Sequence, residues 1–486
     1  MSKLKIGSDC SGVGAFIQAL DRLGIDHEEQ FACDLDKFAR KTYLLNYGTK
    51  EDLEILESDD CKKIDQIYTK SYDKNKAKDI TPEEWKFVRD NEERIANSFS
   101  FYYPWDMNYR SIPEEPTDVY VSTVPCQAFS IAGKRGGEKD RRGILFYTSH
   151  EYIVKNRPRY FIFENVKGLL SDEKLKGSQF GRTFNRWLEL LGGKSINGET
   201  SMFPNEEAVP YHIYWKVVNA KDRGVPQNRE RVFIVGIRDD SDNDFMFTRE
   251  IPLEKKLKDV LETEVDDKYF LSESAIGNLM AYEKRNIEKG NGFRAKFHSP
   301  EEMMSALKVG GGGCDDLVKI KIGTLRTHND GISIKESDNK FRFHKNDKRK
   351  SGIQGMDIIK PEGVADTVTS AHQGNVCIPV LVGKEVRTEE SKAKRRETGT
   401  NDFRGKQTEY REQDHMNTLS TGLTTDNSIF DGYRIRRLTP IECFRLMDFN
   451  ESFKWNVSDS QAYKMAGNSV VVQMYVDILE QLFKKT

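Results

Sequence analysis

Residues 4–24 read LKIGSDCSGVGAFIQALDRLG. An apolar run passes into the small residues Ser11-Gly12-Val13-Gly14; Phe16, Ile17, Leu20 and Leu23 then recur at helical spacing until Gly24 stops the pattern. A short strand follows in QFACDLD, residues 30–36, and ends in acids. Strand, glycine-rich turn, helix and strand make a βαβ unit and predict a parallel sheet. Such a turn brings the backbone close to a ligand at a helix N-terminus. Asp34 follows Gly14 by 20 residues, where an acid would bond ribose hydroxyls. Position 17 is Ile, so no G-x-G-x-x-G is complete and a dinucleotide is disfavoured. A nucleoside-bearing ligand without a pyrophosphate fits better, and a tight turn with no ligand is the plain alternative.

Further strand signals come at DVYVSTV (118–124), RYFIFENV (159–166), YWKVVNA (214–220) and RVFIVGI (231–237). Each is a short apolar run of the kind a sheet covered on both faces requires. Residues 49–100 are polar and helical, with Thr81-Pro82-Glu83-Glu84 as a helix start, and read as a surface insertion. From 241 to 433 the pattern loosens into glycines, polar turns and short strands, a second and smaller lobe. Helical order returns from 434 to 486.

The 486 residues exceed one ordinary domain, and a formal net charge of −2 announces no nucleic-acid binder, so any basic surface must be local. Seven cysteines, scattered and without a Cys-x-x-Cys pair, argue against a disulfide framework or a zinc site. No secretory segment and no 18-residue apolar stretch is visible, which suits a soluble intracellular protein.

Three constellations bear on chemistry. In VSTVPCQAFS (121–130) Cys126 follows a central strand at the carboxyl edge, where open α/β sheets bind ligands. A thiol of pKa about 8.5 needs such a loop, with donors or cations near it, to act as a nucleophile; an inert buried thiol is the bland alternative. In FIFENVKGLL, Glu164 ends an apolar strand at the same edge and could serve as a general acid or cap a helix. In GVPQNRERVFIVG, Gln227, Arg229 and Arg231 alternate at period two, so both arginines should point to one face. Forked donors there suit a carboxylate, a phosphate or a pyrimidine carbonyl, or merely a solvated edge.

Taken in order, the turn at Asp9 to Phe16, Asp34, PWDM with Asp106, Pro125-Cys126-Gln127, Glu164-Asn165-Val166, Gln227-x-Arg229-x-Arg231, RRLTPIECFRLMDF (436–449) and AGNSV (466–470) resemble the motifs of the C5-cytosine DNA methyltransferases. The motifs span residues 1–238 and 434–486 and leave the 49–100 insertion and the middle lobe largely uncovered. The resemblance implies an α/β, Rossmann-like S-adenosylmethionine-dependent fold with a mostly parallel sheet: a catalytic domain at 1–240, a target-recognition lobe at 241–433 and a C-terminal segment, 434–486, returning to the first domain. It implies methyl transfer to C5 of a cytosine flipped out of duplex DNA, at about a few kcal/mol for the flip. Cys126 would attack C6, Glu164 would support N3, and Arg231, with Arg229, would hold the base.

The cofactor implied is S-adenosylmethionine, leaving as S-adenosylhomocysteine. Asp9, Cys10, Ser11, Gly12, Gly14, Ala15 and Phe16 would surround its methionine portion, and Asp34 with Leu35 its ribose. Asp106 and Met107 would meet the adenine, with Pro125 beside them and Asn468, Ser469 and Val470 closing the pocket. Cys10 stands where the family has a phenylalanine that stacks on adenine, Asp34 is one methylene shorter than the family glutamate, and Ala15 replaces the third glycine. Cation-rich stretches at 340–350 and 392–407 suit phosphate contacts or a solvated face. The partners expected are double-stranded DNA and no membrane, for a monomer in the cytoplasm of a bacterial or phage-infected cell, with a cognate restriction endonuclease as a candidate. A tRNA cytosine methyltransferase of the same fold and a non-catalytic DNA-binding relative remain the rivals.

Overall fold

The structure, a computed structural model, describes residues 3–72, 79–108, 116–125, 145–172, 177–240, 244–271 and 433–483. It also describes the shorter stretches 297–298, 302–307, 317–321, 332–337, 340–345, 357–359, 380–387, 406–413 and 428–429, and single residues 174, 285 and 300.

The opening βαβ unit forms as its pattern dictates. Strand β1 (Leu4–Asp9), helix α1 (Ala15–Leu23) and strand β2 (His27–Cys33) put Leu4 beside His27 and Asp9 beside Cys33 in a parallel pair. Helices α2 (Lys37–Tyr47), α3 (Lys50–Leu56), α4 (Asp59–Tyr72) and α5 (Pro82–Ala96) precede the two-residue strand β3 (Tyr102–Tyr103). Then come β4 (Val119–Ser122), α6 (Leu145–Asn156), β5 (Tyr160–Val166), α7 (Arg182–Leu191), β6 (Ser195–Ile196), β7 (Glu199–Thr200), β8 (Tyr211–Asn219), β9 (Gln227–Asn228) and β10 (Glu230–Arg238). Near the C-terminus lie α8 (Pro440–Leu446), α9 (Asp459–Asn468) and α10 (Val472–Phe483).

Among the described residues the main sheet runs β3-β2-β1-β4-β5-β10-β8-β6-β7. From β3 through β2, β1 and β4 to β5 each pair of neighbours is parallel, and β10 is antiparallel to both β5 and β8. This is the α/β, mostly parallel arrangement expected from the strand pattern. The order reverses between β1 and β4, which opens a crevice at their carboxyl ends.

Both faces are covered, which is why the central strands are mostly apolar up to their carboxyl ends. On one face Phe163 of β5 packs with Phe146 of α6 and Trp187 of α7, the last two rings stacked at 4.0 Å. On the other, Phe16 of α1 meets Tyr475 of α10 edge-on at 5.3 Å, and Tyr475 meets Phe233 of β10 at 5.8 Å. Fully burying one such aliphatic or aromatic side chain is worth about 1.5–3 kcal/mol.

Residues 49–100, expected as a surface insertion, form helices with a buried stripe. Cys61, Ile64, Ile67 and Tyr68 of α4 and Val88 and Ile95 of α5 are buried behind a charged outer face. The Thr81 start of α5 is a capping box with Glu84, and Pro82 sits in its first turn.

The chain divides into two compact units, Met1–Val318 with Arg437–Thr486, and Lys319–Arg436. In the second unit, Ile332–Ser337, Lys340–Lys345 and Asp357–Ile359 form one antiparallel sheet, and Val380–Arg387 pairs with Lys406–Gln413 and Ser428–Ile429 in another. Among the described residues no helix is long and apolar enough to cross a membrane.

Candidate functional site

The turn after β1 is held from both sides. The Ser11 amide donates to the Cys33 carbonyl at 2.9 Å, the Thr123 amide to the Asp9 carbonyl at 3.2 Å, and the Thr123 hydroxyl to the Cys10 carbonyl at 2.6 Å. Cys10, Gly12 and Gly14 take φ values of 53°, 58° and 85°. Gly14 has no room for a side chain, since a Cβ there would lie 2.2 Å from the Tyr47 ring. Around Gly12 a Cβ would meet nothing within 4 Å, so that side of the turn is open. Helix α1 begins at Ala15 and Phe16 with no side-chain cap and no acid in its first turn. Its first amides therefore lack a side-chain acceptor.

Three strand ends deliver carboxylates to this turn. Asp9, buried, accepts from the Tyr120 hydroxyl at 2.7 Å. Asp34 accepts from the Gly12 amide at 2.9 Å and the Asp36 amide at 2.8 Å. Burial raises the Asp34 carboxyl to about 6 against the pull of those amides. Asp106, just past β3, is buried and accepts from the Asn108 amide at 3.0 Å. Their convergence shows at Cys10, whose thiol is pushed well above its usual value, first by burial and then by Asp34, Asp9, Cys33 and Asp106. The Cys10 sulfur lies 3.8 Å from that of Met107. An electronegative cleft at a helix N-terminus suits a ligand that carries a cation at one point and an acid at another.

The second part of the edge lies at β5 and β10. Glu164 is buried, and its Oε1 is 2.8 Å from Nε of Arg231. Phe233 faces Glu164 across the ladder and Val166 faces Arg231, so the arginine reaches diagonally on the face covered by Tyr475. Burial raises the Glu164 carboxyl above its usual range, while Arg231 first and then Arg229 pull it down without cancelling the rise. An acid so placed sits nearer to neutrality than a surface glutamate and can donate a proton.

The two arginines do different things. Arg229, wholly buried, donates to the Gly467 carbonyl at 2.8 Å, the Ser469 carbonyl at 2.6 Å and the Leu307 carbonyl at 3.2 Å. Gln227 donates to the Leu446 carbonyl at 3.1 Å, and β9 pairs with Met304–Ser305. Both residues thus tie this motif to distant segments, and Arg231 forms a direct ion pair with Glu164. In the Asn468-Ser469-Val470 stretch, Ser469 and Val470 are buried and Asn468 is exposed. Lys464 of α9 reaches Asp36, the cap of α2, at 2.5 Å, and so draws the C-terminal helices to the acidic edge.

Cys126 lies outside the described residues. The chain before it is anchored: Asn165 donates to the Val124 carbonyl at 3.3 Å, and Pro125 follows half-buried. The expected side chains Asp9, Cys10, Asp34, Asp106 and Met107 are brought together at β1 to β3, and Glu164 with Arg231 at β5 and β10. Leu35, exposed, lines a cavity of about 230 Å³ shared with Asp36, Asp65, Trp105 and Lys464. Thr123, Asp36 and Lys464 were not singled out in the sequence. Of these only Asp36 left a signal, an acid just before a helix. Among the described residues no group of His, Cys, Asp or Glu could hold a metal ion.

A family model described as C-5 cytosine-specific DNA methylase matches residues 62–484. The orphan methyltransferase M.SPRI of Bacillus phage SPR is 27% identical, over 100% of this chain and 98% of its own length. The type II methyltransferase M.HpaII of Haemophilus parainfluenzae is 34% identical, over 62% of this chain and 66% of its own. Among solved structures, the Entamoeba histolytica methyltransferase EhMeth aligns with a TM-score of 0.48 at 13% identity, over 100% of this chain and 99% of that one.

Proposed function

We propose a catalytic assignment from one premise: this chain belongs to the C-5 cytosine-specific DNA methylase family. It is a DNA (cytosine-5)-methyltransferase. The observation that carries the finer assignment is the buried Glu164–Arg231 pair, an acid held toward neutrality at the sheet edge that also gathers Asp9, Asp34 and Asp106.

S-adenosylmethionine fits the acidic part of that edge by charge and by shape. The three carboxylates around Cys10 suit its sulfonium and ammonium groups, and the open side of Gly12 leaves room for it. The uncapped amides of α1 suit its carboxylate. Asp34 gives one oxygen to each of two backbone amides and keeps lone pairs for ribose hydroxyls. Asp106 takes the adenine amino group, with Met107 and Cys10 against the ring. Bound there, S-adenosylmethionine supplies the methyl group.

Cys126 is the nucleophile. Its thiolate forms a bond to C6 of a cytosine extruded from the duplex, while Glu164 donates to N3 and draws electron density away from C6. Arg231 holds Glu164 in place and supports the ring carbonyl. Electron density then builds at C5, where methylation occurs. Loss of the C5 proton restores the ring double bond and expels the thiolate, so one prohibitive step becomes several easier ones. Arg229 acts as a positioning residue that holds the Ser469 segment, and Asn165 sets the spacing of β4 and β5 ahead of Cys126.

Residues 241–433 read the target in duplex DNA, and the enzyme works as a monomer. The cationic strand Lys340–Lys345 lies in this region, whereas residues 346–350 and 392–405 lie outside the described residues. Phosphate contacts there make affinity fall with salt.

The test is transfer of label from S-adenosylmethionine to duplex DNA. Cys126→Ser is expected to abolish it, and DNA containing 5-fluorocytosine is expected to trap the protein covalently, because fluorine cannot leave as a proton does. Transfer that survives Cys126→Ser overturns the mechanism; transfer to tRNA in preference to duplex DNA overturns the substrate.

A further inference from the structure

The segment bearing Asp106 has little sheet to hold it. Strand β3 is two residues long, and the chain leaves it at once through Pro104 and Trp105. What fixes the next residues comes largely from elsewhere. Arg40 of α2, wholly buried, donates to the Pro104 carbonyl, and the same guanidinium pairs with Asp65 of α4 at 2.5 Å. The other oxygen of Asp65 accepts from the indole nitrogen of Trp105 at 3.1 Å. The Cys33 thiol closes the group by donating to the Trp105 carbonyl at 3.4 Å. A single carboxylate therefore holds both the arginine and the indole that flank the approach to Asp106.

Packing and a directed bond act together on that indole. Trp105 is buried, with Tyr68 stacked near it at 6.4 Å and Tyr103 edge-on at 6.1 Å. It also borders the cavity of about 230 Å³ that Asp65, Tyr68, Thr69 and Leu35 share. The Asp65 carboxylate is the acceptor of the buried indole N–H, a charge-assisted bond that fixes the orientation of the ring. Asp65 belongs to α4, inside the 49–100 segment that the family's motifs leave uncovered, and its helix is held to the core by Cys61, Ile64 and Ile67.

We propose that the helical insertion works as part of the methyl-donor site: Asp65, through Trp105 and Arg40, is the positioning residue that sets the Asp106 segment for the adenine end of S-adenosylmethionine. The proposal rests on the reading that Asp106 contacts the cofactor. It gives α4 a task in ligand affinity and none in the bond-making steps.

The experiment measures S-adenosylmethionine binding by calorimetry on the full-length protein, with cofactor KM, kcat, duplex-DNA Kd and thermal midpoint measured beside it. Trp105→Phe keeps an aromatic ring, smaller than the indole, and removes the donor; Asp65→Asn keeps an acceptor and removes the charge. Each is expected to raise the cofactor Kd about ten-fold, or about 1.4 kcal/mol. The loss should appear in cofactor KM, with kcat at saturating cofactor and DNA Kd staying within about two-fold, well below that ten-fold step. Should Asp65→Asn fail to fold because Arg40 loses its counter-charge, Trp105→Phe alone decides. A cofactor Kd unchanged in Trp105→Phe, or a parallel fall in DNA affinity and kcat, overturns the proposal. Asp106→Asn separates it from its premise: wild-type binding in that variant removes the premise, whereas weakened binding there with an unchanged Trp105→Phe removes the proposal alone.

Discussion

Two neighbouring stretches of one sheet edge make opposite use of their carboxylates. At the ends of β1, β2 and β3, Asp9, Asp34 and Asp106 converge on one thiol, and backbone amides and a tyrosine hydroxyl hold them in place. Within the β5–β10 ladder, Glu164 stands with the Arg231 guanidinium 2.8 Å away. The first arrangement accumulates negative charge and waits for a cation. The second neutralises a lone acid that burial already pushes toward its protonated form. Aspartates on short side chains next to turns receive amides cheaply, whereas a glutamate in mid-ladder has only side chains to answer it. On the assignment proposed above, this division separates donor binding from activation of the base, though both lie on one edge.

The largest effect is expected from Glu164→Gln, which keeps the shape and removes the titrating proton. Single-turnover methylation should fall about 10³-fold, within the usual range for loss of a positioned acid, while calorimetry should find the cofactor Kd little changed. An equal loss in cofactor binding would merge the two stretches into one. Arg229→Met comes next. It strips donors from three buried carbonyls, and urea unfolding should show a loss of about 3 kcal/mol, with the Glu164–Arg231 pair still formed.

Asp34→Asn should weaken S-adenosylmethionine binding about ten-fold with kcat at saturation retained. The pH dependence sharpens this prediction. Burial raises Asp34 to about 6, so the group is ionised above pH 7 and takes up a proton as the pH falls through 6. A neutral acid attracts a cation less, so cofactor affinity should be flat above pH 7 and decline below 6, and the decline should vanish in Asp34→Asn. The smallest effect belongs to Gly12→Ala. At φ 58° with open space around it, the substitution should cost about 1 kcal/mol of stability through backbone strain alone. A larger loss in cofactor affinity than in stability would show that the added methyl group meets the ligand.

Much of this was legible beforehand, and for physical reasons. The period of LKIGSDCSGVGAFIQALDRLG fixes a strand, a turn and a helix locally, and the apolar runs at 118–124 and 159–166 can be stable only inside a sheet covered on both faces. Glu164 and Asp34 were visible because a charge that ends an apolar strand has no packing role. The alternation at 227–231 was legible as a face but not as a function. Its two arginines share a type and a spacing, yet one meets Glu164 and the other the carbonyls of Gly467 and Ser469, more than 200 residues on. The insertion read as surface because its composition is polar. The stripe of Cys61, Ile64, Ile67 and Tyr68 is too sparse to announce what it packs against.

The chain's own pattern thus determined which segments are strands and helices, that the sheet is mostly parallel, and which side chains emerge at its carboxyl edge, since each of these follows from local periodicity. The tertiary structure decided which carboxylates converge on Cys10, which arginine faces Glu164, and that Asp65 reaches Trp105. Those outcomes depend on contacts between residues far apart in the chain, and spacing along a sequence carries no distance across a fold.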